Sequence, residues 1–112
     1  PAGDARRMDE GQRLLRHCPD NIPRVACDPR GRDTSSEAMA RQLARWRDTG
    51  MASACFVIGG ADGHSQELLE RAEARIAFGS ATWPHMLFRA MLAEQLYRAT
   101  MILAGHPYHR GN

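Results

Sequence analysis

Three short stretches hold most of the residue types able to do chemistry. The first is FVIGGADGHSQELLERA, residues 56–72. It reads as a buried strand, a glycine turn and a helix. Glycines at a strand end let backbone groups approach a ligand with no Cβ in the way. The turn Ile58-Gly59-Gly60-Ala61-Asp62-Gly63 matches neither GxGxxG nor a P-loop. A dinucleotide site is therefore disfavoured, and a structural turn and a cofactor turn stay evenly balanced. A strand end in an α/β sheet is nevertheless where a ligand is expected.

The second stretch is Gly79-Ser80-Ala81-Thr82-Trp83-Pro84. Small residues leave space and exposed backbone there. An ordinary strand-to-helix connection and a second pocket wall both fit. The third is the C-terminal patch with His106, Tyr108, His109 and Arg110. The HxxH spacing of His106 and His109 hints at zinc. No third ligand stands nearby, so a metal site is not expected. Tyrosine and histidine stack on bases and arginine holds phosphate, so the patch suits RNA better than metal; the bland alternative is a frayed terminus. Glu94, Tyr97 and Arg98, and separately His85 and Arg89, have helical spacing that surface pairing also explains. His85 suits either a ligand near a helix start or a plain surface position. His17 and His64 carry no interpretable context.

These residues must be positioned by one small domain, because 112 residues leave room for no more. The chain holds fifteen basic residues, all arginine, and a net charge of +2. Any RNA binding must therefore use a local patch. No apolar run reaches the roughly 18 residues of a membrane span, and no signal peptide is visible at PAGDARR. The three cysteines, Cys18, Cys27 and Cys55, are odd in number and lack CxxC spacing. They predict no disulfide framework, a reducing cytoplasm, and buried free thiols at Cys27 and Cys55.

The periodicity predicts helices over 4–17, from Ser35 or Ser36 to Gly50, over 65–75, and from about His85 to Leu103. Strands are predicted over Ile22–Cys27, Ala52–Ile58 and Ile76–Thr82, with DPRGRDTSS as a loop. Their alternation implies an α/β fold, a parallel sheet with helices on both faces. Three strands make a narrow sheet, which predicts that N-terminal elements are missing from this chain.

The stretches FVIGGADG, ATWPHMLFRAMLAEQLYRA and GHPYHR, in that order, resemble the ribosomal RNA large subunit methyltransferase H family. These are small SPOUT-class methyltransferases, and the resemblance runs along the whole chain. It implies one SPOUT domain over residues 1–112 with a C-terminal trefoil knot. It implies a cytoplasmic homodimer that binds S-adenosylmethionine and methylates N3 of a pseudouridine in the large-subunit RNA of assembled ribosomes. No metal and no membrane are implied. By position, Cys27, Gly60, Gly79, Ser80, Ala81, Thr82, Trp83 and Pro84 would hold the cofactor. Tyr108, His109 and Arg110 would form the catalytic tail, reaching the partner's cofactor. His109 would help remove the N3 proton and Arg110 would hold phosphate or the developing anion. Cys27 stands where a larger apolar residue is usual, and the resemblance implies that a leading strand and helix, and a second strand ending at the equivalent of PAG, are missing here. The alternative function is a non-catalytic RNA- or ribosome-binding module of the same fold; a further one is an inactive fragment.

Overall fold

A computed structural model describes residues 2–19, 21–51, 53–59 and 63–105. In chain order the elements are α1 (Ala2–His17), β1 (Arg24–Asp33), α2 (Ser36–Asp48), β2 (Cys55–Ile58), α3 (Gln66–Arg71), β3 (Ala74–Ala77) and α4 (His85–Leu103). The three strands form one parallel sheet in the order β2-β1-β3. The chain thus moves to one side of β1 and then to the other. Right-handed crossovers in opposite directions put their helices on opposite faces.

The two cores follow from that. Successive strand residues alternate between faces. Val25, Cys27 and Ile76 pack under α2 and α4 with Met39, Ala40, Phe88, Leu92 and Ala99. Ala26 and Val57 face the other way, against Leu68 and Leu69 of α3, with Leu14 and Leu15 of α1 at the margin. The expected parallel sheet with helices on both faces is what the chain forms.

The helix starts follow local chemistry. The Ser35 and Ser65 hydroxyls accept from the Ala38 and Leu68 amides and cap α2 and α3. Gly50 ends α2 with a positive φ of 87°. Trp83-Pro84 precedes α4, where proline acts as N-cap without a side-chain bond.

Three expectations need correction. First, DPRGRDTSS is not simply a loop, since β1 continues to Asp33. Cys27 and Arg32 both register against Ile76, so residues 28–31 leave the β1–β3 ladder and rejoin it. Pro29, which has no N–H to donate, sits in this excursion. Gly31 closes it: a Cβ there would come within 2.7 Å of the Arg75 backbone. Second, β2 and β3 are shorter than predicted, and β3 begins earlier, at Ala74, because α3 stops at Arg71. Phe78 to Ala81, beyond the end of β3, form a bend instead. Third, Cys55 is not a free thiol. It is joined to Cys18 in a disulfide with Cα atoms 6.2 Å apart. Cysteine parity and spacing miss this, because the turn after α1 and the start of β2 meet only through the topology. Cys27 is free and buried, as expected.

Candidate functional site

A cavity of about 840 Å³ opens at the carboxyl ends of the strands. Its wall comes from Cys27 to Arg30 of β1, Ile58 and Gly59 at the end of β2, Gly63 to Gln66 of the following turn, Ala81 to Trp83 after β3, and His85 and Phe88 of α4. Asp4, Arg7 and Met8 of α1 close one side. This is the topological switch point, where loops from strands on either side of β1 diverge and leave a crevice.

Each wall has a local cause. The 79–84 connection is held at both ends. The Gly79 amide donates to Asp33 Oδ1 at 2.8 Å, and Trp83 Nε1 donates to the Phe78 carbonyl at 2.8 Å. Phe78 stacks on Phe88 with ring centroids 5.1 Å apart, fixing the connection against α4. At the glycine turn, a Cβ on Gly59 would lie 3.2 Å from the Gly63 backbone and 3.3 Å from the His64 nitrogen. Glycine there lets the turn fold tightly against its own exit.

The β1 excursion delivers Asp28 and Arg30 to the cavity. Asp28 is buried, and its Oδ1 accepts from the Arg30 amide at 2.8 Å and Arg30 Nε at 2.9 Å. Its Oδ2 accepts from Nη2 at 3.0 Å. The Arg30 hydrogen bond holds the carboxyl below its ordinary value, against the opposing pull of burial. Arg30 is correspondingly held more firmly protonated, chiefly by the same bond.

His64 is only 3% exposed. Its Nε2 donates to the Val57 carbonyl at 3.1 Å, since a carbonyl only accepts. Among the described residues, Nδ1 is buried with no hydrogen-bond partner. Burial pushes the imidazole's pKa down, opposed by the Val57 carbonyl, by Asp28 and Glu10, and by the Cys27 backbone. The ring is therefore neutral at pH 7. Burial also pushes the Cys27 thiol up to about 12, so it is an uncharged wall and not a nucleophile.

Of the residues singled out from sequence, Cys27, Ala81, Thr82 and Trp83 meet at this cavity. Gly79, Ser80 and Pro84 belong to the same connection but lie outside the lining. Gly60, His106, Tyr108, His109 and Arg110 lie outside the described residues. His85, left open by the sequence, reaches the lining. Asp28 and Arg30, to which the sequence assigns no role, and His64, which has no interpretable context there, also reach the lining. An acidic residue directly after the apolar run Val25–Cys27, where the predicted strand ends, is the available signal for Asp28. For His64 no sequence signal existed, because its partner is set by the turn. Among the described residues no cluster of histidine, cysteine and acidic side chains could hold a metal.

A family model described as "Predicted SPOUT methyltransferase" matches residues 2–109. The chain belongs to the SPOUT methyltransferase family. Within that family its sequence is similar to curated relatives named "Ribosomal RNA large subunit methyltransferase H". One from Erythrobacter litoralis is 66% identical over 77% of this chain and 61% of the relative. One from Nitrobacter winogradskyi is 51% identical over 96% of this chain and 72% of the relative. One from Rhodospirillum centenum is 54% identical over 97% and 72%. This SPOUT chain thus spans between three-fifths and three-quarters of the length of these relatives. None of the helices among its described residues is long and apolar enough to cross a membrane.

Proposed function

We propose that this SPOUT chain is an S-adenosylmethionine-dependent methyltransferase acting on N3 of a pseudouridine in large-subunit ribosomal RNA. The observation that carries the reading is the cavity at the switch point of the parallel sheet, in a chain of this family. The residues present fit a nucleoside-bearing cofactor. The Gly59 turn folds tightly on its own exit at the cavity edge, the Cys27 thiol is a neutral wall, and a buried nitrogen without a partner among the described residues belongs to a lining residue. Cys27, Gly60 and the connection Gly79, Ser80, Ala81, Thr82, Trp83 and Pro84 would hold the cofactor, largely through backbone groups. When bound, S-adenosylmethionine supplies a methyl group already activated by its sulfonium.

The protein's own task is alignment, and proximity accounts for most of the acceleration it needs to provide. In this reading His109 takes the N3 proton, Arg110 holds phosphate or the developing anion, and Tyr108 stacks on a base. The chain acts as one domain over residues 1–112 with a C-terminal trefoil knot. It works as a cytoplasmic homodimer on assembled ribosomes, each tail serving its partner's cofactor.

Calorimetric titration of S-adenosylmethionine, followed by methyl transfer to ribosomes, tests this. Saturable binding near one site per subunit and methylation lost in His109→Ala are expected. Ribosome binding without cofactor binding would instead identify a non-catalytic module.

A further inference from the structure

Two of the residues that line the cavity, His64 and Asp28, carry hydrogen-bond acceptors with spare capacity. With Nε2–H donating to Val57, the neutral His64 ring leaves Nδ1 as a lone pair, buried and without a partner among the described residues. Native proteins leave few such atoms unsatisfied, and each one calls for an explanation. Asp28 lies near enough to act electrostatically on His64. Its Oδ1 accepts two bonds from Arg30, whereas Oδ2 accepts one and keeps acceptor capacity.

A pair of acceptors selects a ligand with donors. An ammonium is disfavoured, because Arg30 already neutralises Asp28 and would repel a second cation. A phosphate offers no donor and meets the Asp28 carboxylate. A metal ion finds no cluster of three ligating side chains among the described residues. Vicinal hydroxyls fit: each is neutral and donates one hydrogen.

We propose that His64 and Asp28 form the ribose-reading subsite of this cavity, with Nδ1 and the Asp28 carboxylate accepting from the ribose hydroxyls of the cofactor. This rests on the reading of the cavity as a cofactor site. His64 is then a specificity residue that distinguishes a ribonucleoside from its deoxy forms and takes no part in methyl transfer.

The test is calorimetric titration of this chain with S-adenosylhomocysteine and with its 2′-deoxy and 3′-deoxy analogues. At least one deoxy analogue should bind about tenfold more weakly, as expected for a hydroxyl facing a buried acceptor. His64→Leu should weaken the parent compound by a similar factor and abolish discrimination between parent and analogue. Should that variant not fold, the wild-type chain still decides, through its imidazole nitrogen NMR signals. The Nδ1 resonance should move on binding the parent and not on binding the discriminated analogue. Equal affinities within about twofold, with an unmoved Nδ1 resonance, would overturn the subsite and leave the cofactor reading standing. No saturable binding of S-adenosylhomocysteine by the wild-type chain would overturn both.

Discussion

Cys27 and Asp28 are adjacent in sequence, but their strand faces differ and so do their consequences for pH. The Cys27 thiol is raised from its ordinary 9.0 to about 12 by burial. A folded state that stays protonated while the unfolded chain ionises loses stability as pH rises. The contribution is complete below about pH 9 and declines towards pH 12, on the order of 1–2 kcal/mol by pH 10. The chain has no lysine, so few other groups titrate in that window. Chemical denaturation from pH 8 to 11 should show a falling stability that is flatter in Cys27→Ala; equal slopes would contradict the buried thiol. Asp28 has the opposite sign. The Arg30 bonds depress its pKa below the ordinary 3.8, so its contribution is present above that value. It is lost as pH falls through the lower folded value. Asp28→Asn should lower stability at pH 7 by about 1–2 kcal/mol, the cost of a weakened charge-assisted pair. The gap to wild type should then close in acid, and a constant gap from pH 7 to 2 would refute the assignment.

Elements add what single residues lack, and α1 is the informative case. It packs on α3 through Leu14 and Leu15, which are only partly buried, and Met8 stays 59% exposed. The Cys18–Cys55 disulfide fixes its end to β2 across a sequence separation of 37. Closing a loop of that length stabilises by up to about 4 kcal/mol in the chain-entropy picture. Reduction by a dithiol should therefore lower the urea midpoint and speed amide exchange most in α1. Unchanged midpoints would mean that packing alone holds α1. The same element separates what periodicity can read from what it cannot. The capping serines Ser35 and Ser65, the glycine stop at Gly50 and the His85–Leu103 span follow from local signals, and local signals are legible. The disulfide, the return of β1 at Arg32 and the burial of His64 depend on contacts between segments far apart in sequence. The candidate site divides in the same way. The small residues Ala81 and Thr82 advertise their connection, whereas Asp28 enters the cavity only because residues 28–31 leave the ladder.

At the scale of the molecule, the open question is what covers the outer face of α4. Its inner face is core, through Phe88, Leu92 and Ala99. Met86, Ala90, Ala93 and Tyr97 recur at i, i+4, i+7 and i+11, which places them together on the other side, and all four are exposed, Met86 to 70%. Leu87 extends this stripe at 46% exposure. A radius of gyration of 14.6 Å exceeds the ~13 Å expected of a compact chain this long. An apolar stripe with alanines at its centre lets a second helix approach closely, and two copies of α4 related by a twofold axis would bury it in an isologous contact. The homodimer proposed for this SPOUT chain therefore places α4 at its interface. Ala93→Arg puts a charge at the middle of the stripe and leaves Phe88 and Leu92 untouched. Sedimentation equilibrium should find wild type dimeric and the variant dissociated, its dimerisation weakened on the order of 100-fold, or about 3 kcal/mol. The wild-type melting temperature should rise with protein concentration and that of the variant should not. A wild-type chain that sediments as a monomer at tens of micromolar, or a variant that dimerises as wild type does, would move the interface off α4.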